Sequence, residues 1–274
     1  MILFVGAGAV GGYFGGLVAR GGGAVTFVAR GAHGRAIRGN GLALSTTGGD
    51  FLLRPAVVLP DEPIHGVDAV VVAVKHRDLI PALERIAPFI PDGAPVLSLL
   101  NGIGHEDDFH KLLPRATYLP GVAFVGSRIS GPGKIHHTSD GAISFGPASP
   151  SLSGAVEKMR AALAVGGFPL KVVDDSRRLL WRKLMWNAAF NPASALSGRT
   201  TADLILAPGM KEHLREVMEE IRMIARAEAI DLPAEWIDKA IDIKPGEMRD
   251  KTSMLLDREA GVEMEIETIV SRPI

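Results

Sequence analysis

The sequence predicts a chain of two domains, an α/β domain over residues 1–168 followed by an all-helical domain over residues 169–274. In the first part, short apolar segments typical of buried strands alternate with helical segments, the order that a parallel sheet requires. From Ser176 onward, apolar residues recur at helical spacing, most clearly in KEHLREVMEEIRMIARAEAI at 211–230. The sequence has no repeat and no low-complexity linker, so we expect the domains to pack closely and leave a cleft.

The composition excludes several classes of protein. The net charge is −1 and the basic residues are dispersed, which argues against a nucleic-acid partner. The chain has no cysteine, so disulfides and thiol nucleophiles are excluded, and a cytoplasmic location fits. The eight histidines show no metal-ligand spacing, and we predict no metal site. No uninterrupted apolar run reaches the roughly 18 residues of a membrane helix, so no membrane partner is predicted.

A glycine motif follows the first apolar segment. MILFV at 1–5 suits a buried strand. The apolar start lacks the positively charged N-terminal region of a signal peptide, so we expect it to be part of the folded domain. GAGAVG comes next, AVGGYFGGLVAR predicts a helix and AVTFVAR a second strand, which is the context in which G-x-G-x-x-G binds a dinucleotide. The glycines permit a tight turn, approach of a pyrophosphate, and helix–strand packing. We therefore predict a Rossmann-type domain whose cofactor contacts include Gly6, Ala7, Gly8, Ala9, Val10 and Gly11.

Three polar side chains follow predicted strands. Arg30 ends AVTFVAR, Lys75 ends VDAVVVAVK and Asn101 ends APVLSLLN, and ligands of open α/β sheets bind at these carboxyl ends. An arginine without a nearby acidic residue suits a 2′-phosphate, which favours NADP over NAD. A solvated surface role for Arg30 and a turn role for Asn101 stay open. The later predicted strands are ATYLPGVAFVGSRI at 116–129, GAISFG at 141–146 and PLKVVDD at 169–175.

WRKLMWNAAFNP at 181–192 predicts a buried helix with a polar row. Lys183, Asn187 and Asn191 are four residues apart, a step of about 40° around a helix, so they share one stripe among apolar neighbours. A lysine that snorkels to solvent and asparagines that bridge helices would be a structural explanation. Beside a nicotinamide, the ammonium could instead protonate an alkoxide while the amides hold a substrate. We expect the helix to kink or end before Pro192, and predict further helices at 248–258 and 263–270.

These motifs resemble those of the ketopantoate reductase (2-dehydropantoate 2-reductase) family, over residues 1 to about 270. The spacing Lys-x3-Asn-x3-Asn-Pro together with an N-terminal G-x-G-x-x-G is far more specific than either motif alone. One departure concerns Thr201 and Ala202, which stand where the family often has Asn-Gly. The matching segments are GAGAVG, Arg30, Lys75, NGIG at 101–104, GSRISGPGKIHH at 126–137, KLMWNAAFNP at 183–192, SML at 253–255 and EIE at 265–267.

The resemblance implies NADPH-dependent reduction of 2-dehydropantoate to pantoate by a cytoplasmic enzyme of pantothenate and coenzyme A biosynthesis. It implies that Lys183 is the general acid and that Glu265 acts at the junction of cofactor and substrate. The other implied contacts are Asn187, Asn191 and Ser253 for the substrate, Arg30, Lys75 and Ser127 for NADP, and Asn101 for both. Reduction of another branched 2-oxo acid, a non-catalytic nicotinamide-binding sensor and a homodimer stay open.

Overall fold

A computed structural model of the chain describes residues 1–147, 152–242 and 251–273. The chain divides into two compact units. The first comprises Met1–Leu100 and His105–Ser176, and the second comprises Asn101–Gly104 and Arg177–Ile274. The first unit extends past the predicted boundary at residue 168, because the strand Leu170–Val172 pairs with a neighbouring strand of its sheet.

Ten strands of the described residues form one sheet in the first unit. They are β1 (Ile2–Val5), β2 (Val25–Val28), β3 (Leu42–Thr46), β4 (Gly49–Leu53), β5 (Ala56–Val58), β6 (Ala69–Val72), β7 (Pro95–Ser98), β8 (Thr117–Gly131), β9 (Lys134–Phe145) and β10 (Leu170–Val172). The order β5-β2-β1-β6-β7-β8 is parallel throughout and is the strand order of a Rossmann fold. β8 returns antiparallel as β9, which pairs in parallel with β3 and β10.

Hydrophobic cores cover both faces of this sheet. Along β1, Ile2 and Phe4 belong to one core, whereas Leu3 and Val5 belong to another. Two-sided burial explains why the parallel strands are continuous apolar runs rather than alternating ones. The helices of this unit are α1 (Ala9–Arg20), α2 (Gly31–Asn40), α3 (Leu79–Ile86), α4 (Glu106–Leu112) and α5 (Ser153–Ala164). The predicted Rossmann-type domain is confirmed.

Strands β2, β6 and β7 end two or three residues earlier than the sequence predicted. Arg30, Lys75 and Asn101 therefore lie in the loops after the strands and not at their last positions. Arg30 is already the N-cap residue of α2, and Lys75 precedes the 3₁₀ turn His76–Asp78. A residue that opens a helical turn cannot also continue the ladder of a sheet, so Arg30 and Lys75 cannot be strand residues.

The second unit is helical, as predicted. One core, which includes Trp181, Phe190, Leu214 and Ile237, joins the first four helices of this unit. A smaller cluster of Ala195, Met254 and Ile269 joins the first of them to the last two. The helices are α6 (Ser176–Ser197), α7 (Thr201–Ile205), α8 (Met210–Ala227), α9 (Glu235–Ile241), α10 (Ser253–Glu259) and a π-helix (Glu267–Ser271). In the part of the chain that the structure describes, no helix combines the length and hydropathy needed to cross a membrane.

Two helix predictions need correction. α6 does not end at Pro192 but continues to Ser197, so the proline lies inside the helix. Because proline has no N–H, it removes the hydrogen bond that the carbonyl of Ala188 would otherwise accept along the helix axis. The segment 263–270 is helical only in its second half, where Glu267–Ser271 form a π-helix rather than an α-helix. The first residues of the helix predicted at 248–258 lie outside the described residues.

Candidate active site

The turn between β1 and α1 requires glycine at its first and third motif positions. Gly6 has a φ of +97°, and a Cβ atom there would lie 2.6 Å from the carbonyl oxygen of Ala73. A Cβ atom at Gly11 would lie 2.0 Å from the carbonyl oxygen of Gly6. Both contacts involve backbone atoms, which cannot move aside as a flexible side chain can. The two glycines therefore hold α1 close against the turn.

Gly8, the second glycine of the motif, faces open space. It is the N-cap residue of α1, and no described atom beyond its chain neighbours lies within 4 Å of the position of a Cβ. Among the described residues no side chain caps this helix end, and its first turn, which begins at Ala9 and Val10, contains no acidic residue. An uncapped helix N-terminus offers backbone N–H groups and a positive dipole end to an anion. The turn therefore fits a pyrophosphate.

The two predicted cations of this unit lie at one edge of the sheet. Nη2 of Arg30 lies 2.6 Å from Oδ1 of Asp78, and the arginine side chain is 67% exposed. Asp78 closes the 3₁₀ turn after Lys75, and its N–H donates a hydrogen bond to the Lys75 carbonyl. The ion pair thus joins the loops after β2 and β6, the strands that flank β1. Arg30 is thus paired with a carboxylate, Asp78, that the sequence reasoning missed, and the backbone of Lys75 lies in the same turn as Asp78.

Ser127 lies on β8, where the ladder with β9 is irregular. Its hydroxyl oxygen is buried and has no hydrogen-bond partner among the described residues. Across the ladder it faces His137, whose ring stacks on Tyr13 of α1 with centroids 4.4 Å apart. The stacking holds the β8–β9 hairpin against α1, the helix that begins at the glycine turn. Ser127 therefore has a buried hydroxyl that no described residue uses, on a hairpin that packs against α1.

Asn101 belongs to the helical unit, not to the strand that precedes it. In the turn Asn101–Gly104, Gly102 has a φ of +87°, and a Cβ atom there would lie 2.3 Å from the carbonyl oxygen of Thr268. The same carbonyl accepts a hydrogen bond from the N–H of Ile103 at 3.3 Å. The π-helical segment near the end of the chain therefore fixes the turn that carries Asn101.

The polar row on α6 is present as predicted. Asn187 and Asn191 are buried, with 4% and 1% of their surface exposed. Three of their side-chain atoms have no hydrogen-bond partner among the described residues, namely Nδ2 of Asn187 and Nδ2 and Oδ1 of Asn191. Because most buried polar atoms in proteins are paired, three orphaned atoms on one stripe are unusual. They indicate a place for a polar ligand.

Lys183 begins this row one turn before Asn187, and burial lowers its pKa from 10.5 to about 8. The residue keeps partial solvent exposure, but its ammonium group lies deep enough in the protein that desolvation of the charge dominates. The negative charge of Glu265 opposes the shift and favours the protonated form. The structure thus brings together the two residues predicted to be catalytic, within one unit.

Ser253 is the least enclosed of the predicted substrate residues. It is the exposed first residue of α10, whose N-cap is its neighbour Thr252. The hydroxyl of Thr252 accepts a hydrogen bond from the N–H of Leu255 at 3.2 Å. The helix cap therefore does not use the hydroxyl of Ser253, and a substrate role for Ser253 stays a prediction.

Sequence reasoning missed Thr268. This residue is fully buried, and its hydroxyl oxygen has no partner among the described residues. It holds the Asn101 turn through its carbonyl, as described above. Thr268 directly follows the EIE segment but is not part of it, and only the fold shows that its hydroxyl is buried and that its carbonyl lies against the Asn101 turn. Among residues 1–147, 152–242 and 251–273, no three histidine, aspartate or glutamate side chains come close enough to hold a metal ion.

A Rossmann sheet with an open glycine turn and a separate helical unit with a buried lysine of lowered pKa define a nicotinamide-dependent oxidoreductase. Comparison with known families agrees. The family model described as ketopantoate reductase PanE/ApbA matches residues 2–150, and that of its C-terminal part matches residues 175–274. The chain therefore belongs to the ketopantoate reductase family.

Individual relatives cover nearly the whole chain. A 2-dehydropantoate 2-reductase from Mesorhizobium japonicum is 31% identical over 98% of this chain and 89% of its own length. The crystal structure of a 2-dehydropantoate 2-reductase from Geobacter metallireducens is 32% identical with a TM-score of 0.91, covering 100% and 92% of the two chains. A ternary structure of D-mandelate dehydrogenase with NADH and anilino(oxo)acetate has 25% identity and a TM-score of 0.93, covering 100% and 91%.

Proposed function

We propose that this protein reduces 2-dehydropantoate to pantoate with NADPH, with Lys183 as the proton donor, in the cytoplasmic biosynthesis of pantothenate and coenzyme A. The observation that carries the proposal is the buried row on α6, where amide atoms of Asn187 and Asn191 have no partner among the described residues. A buried polar group left unpaired costs roughly 1–3 kcal/mol. A substrate with a carboxylate, a carbonyl and a hydroxyl would satisfy these atoms.

The first unit fits the cofactor of this reaction. Space at Gly8 admits a pyrophosphate, and Arg30 with Lys75 would hold the 2′-phosphate of the adenosine ribose. Ser127 and Asn101 are proposed as further cofactor contacts, the first because its hydroxyl is orphaned. When bound, NADPH supplies the hydride for C2 of the 2-oxo acid.

In the second unit, Lys183 donates a proton to the oxygen on C2 as negative charge develops there. A pKa of about 8 keeps the amine protonated at pH 7 yet close to the working pH, as suits a general acid. Glu265 supports this role because its charge favours the ammonium form. The proposed roles of Asn187, Asn191 and Ser253 are hydrogen bonds that orient the carboxylate and hydroxyl of the substrate.

The likeness to D-mandelate dehydrogenase supports a second candidate function, the reduction of a different 2-oxo acid with NADH. The two candidates share the reaction at C2 and differ in the substrate side chain and the cofactor. The unpaired amides on α6 favour a substrate with an additional polar group, which 2-dehydropantoate has in its primary hydroxyl.

A substrate panel distinguishes these candidates. Initial rates with NADPH and with NADH should be compared for 2-dehydropantoate, for its analogue without the primary hydroxyl, and for the 2-oxo acid of mandelate. Loss of the hydroxyl should lower kcat/KM at least about tenfold, because a buried polar group then stays unpaired. Equal rates for the first two substrates would contradict the proposed substrate. Preference for the third substrate, or for NADH, would favour the second candidate. No turnover of any substrate with either cofactor would favour a non-catalytic sensor.

The cofactor preference is tested at Arg30. Arg30→Ala should weaken NADPH binding about ten- to a hundredfold and leave NADH binding almost unchanged, because a charge-assisted bond to the 2′-phosphate contributes roughly 1.5–3 kcal/mol. Titration of the dissociation constants of both cofactors measures this. Arg115→Ala is a matched control, since Arg115 is also an exposed arginine paired with an aspartate, Asp92. Equal losses with NADPH and NADH in the Arg30 variant would exclude a 2′-phosphate contact.

A further inference from the structure

A histidine outside the sequence motifs touches the dinucleotide turn. Nε2 of His33, on the first turn of α2, lies 2.9 Å from the carbonyl oxygen of Ala7. Its other ring nitrogen, Nδ1, accepts a hydrogen bond of 3.1 Å from the N–H of Gly133. Gly133 lies between β8 and β9 and has a φ of +71°. One half-buried ring thus joins three segments that are distant in sequence.

The partners of His33 determine its tautomer. The backbone N–H of Gly133 can only donate, so Nδ1 must accept and carries no proton. The carbonyl of Ala7 can only accept, so Nε2 must carry the proton. A neutral imidazole protonated at Nε2 satisfies both groups at once. No other side chain of similar size combines a donor and an acceptor at this separation on one rigid ring.

The peptide that His33 holds is the centre of the cofactor turn. Ala7 lies between Gly6, whose position is restricted by sterics, and Gly8, which faces open space. α2, the helix that carries His33, has Arg30 as its N-cap residue. The histidine therefore fixes the distance between the turn proposed to bind the pyrophosphate and the helix end proposed to bind the 2′-phosphate.

We propose that His33 is a positioning residue for the dinucleotide, which sets the turn at Ala7 relative to Arg30 through its Nε2–H donor. The proposal rests on the proposed function in that it takes the ligand to be a nicotinamide dinucleotide. His33 does not touch the reacting atoms, so its loss affects binding of the cofactor and not the chemical step. The bond to Ala7 carries this effect, and the bond to Gly133 holds the hairpin.

Three variants separate these bonds. His33→Ala removes both, His33→Gln retains a donor at the distance of Nε2, and His33→Asn retains an acceptor near the position of Nδ1. We expect His33→Ala to weaken NADPH binding about tenfold, the loss of one hydrogen bond in the turn. His33→Gln should recover most of the affinity and His33→Asn little of it. At saturating cofactor, kcat should stay within about twofold of the wild type for every variant that folds.

The measurements are fluorescence titration with NADPH, steady-state kinetics and the melting temperature of the free protein. His65→Ala, at an exposed histidine, is the control and should leave all three unchanged. Affinity equal to the wild type in His33→Ala, or better recovery by Asn than by Gln, would overturn the proposal. If His33→Ala does not fold, the comparison of Gln with Asn decides alone. Failure of the wild-type protein to bind NADPH or NADH would instead contradict the proposed function.

Discussion

Lys183→Met should lower kcat for reduction of 2-dehydropantoate by about 10²–10⁴-fold, the usual loss for a missing general acid. Methionine fills a similar volume but cannot donate a proton, so the expected effect lies in the chemical step. NADPH affinity should change little, because the proposed cofactor phosphate contacts lie in the other unit. Steady-state kinetics and NADPH titration on one preparation measure both quantities. Lys239→Met is the control, since Lys239 is exposed and paired with Glu235 on α9.

The same variant should be more stable than the wild type near neutral pH. Burial lowers the pKa of Lys183 from 10.5 to about 8, which means that the folded state disfavours the charged amine. By linkage, the free energy of unfolding of the wild type should rise with pH between about 8 and 10.5, and Lys183→Met should lose this contribution. Greater stability with lost turnover would identify a functional lysine. Lower stability with unchanged turnover per folded molecule would identify a structural one.

Gly8→Ala should weaken NADPH binding by about 10²-fold or more without destabilising the free protein. No described atom beyond the chain neighbours lies within 4 Å of the new methyl group, and the φ of Gly8 is −67°, outside the left-handed region that favours glycine. Such a replacement stabilises by about 0.4–1 kcal/mol through the unfolded chain. The methyl group occupies the space through which the backbone approaches a pyrophosphate. Titration with NADPH and thermal melting without it measure the two effects.

Gly154→Ala is the matched control for Gly8→Ala. Gly154 lies in α5, where beyond its own helix backbone and chain neighbours no described atom lies within 4 Å of a Cβ position. Its replacement should raise the melting temperature slightly and leave NADPH binding unchanged. Gly11→Ala should differ from both variants. Its Cβ would lie 2.0 Å from a backbone oxygen, so this variant should lose stability as well as NADPH affinity. Unchanged NADPH affinity in Gly8→Ala would contradict a dinucleotide at this turn.

Much of the fold could be predicted from local sequence pattern. α1 spans Ala9–Arg20, the residues predicted for it, because a glycine turn and a continuous apolar strand define its start. The polar row on α6 was also predictable, since a spacing of four residues places side chains on one helix face whatever surrounds them. Patterns that repeat within a few residues are determined by backbone geometry, and the sequence shows them directly.

Other features depend on contacts between distant segments. The pair Arg30–Asp78 and the histidine that holds Ala7 bring together residues from separate loops, and no periodicity marks them. Thr268 was missed for the same reason, since its hydroxyl becomes notable only once the fold has buried it. α6 continues beyond Pro192, so the predicted end of the helix is wrong, because the packing of a long buried helix outweighed a local rule, and a kink at Pro192 stays a prediction.

The most direct test of the central claim, that the buried row on α6 performs the chemistry, is the pH dependence of single-turnover hydride transfer. The enzyme loaded with NADPH would be mixed rapidly with 2-dehydropantoate between pH 6 and 10, and NADPH absorbance would be followed. Because the acid form of Lys183 has to donate, the rate should be constant at low pH and fall about tenfold per unit above pH ~8. The residual rate of Lys183→Met should lack this decline. A wild-type rate that stays constant to pH 10, or the same decline in Lys183→Met, would contradict the account.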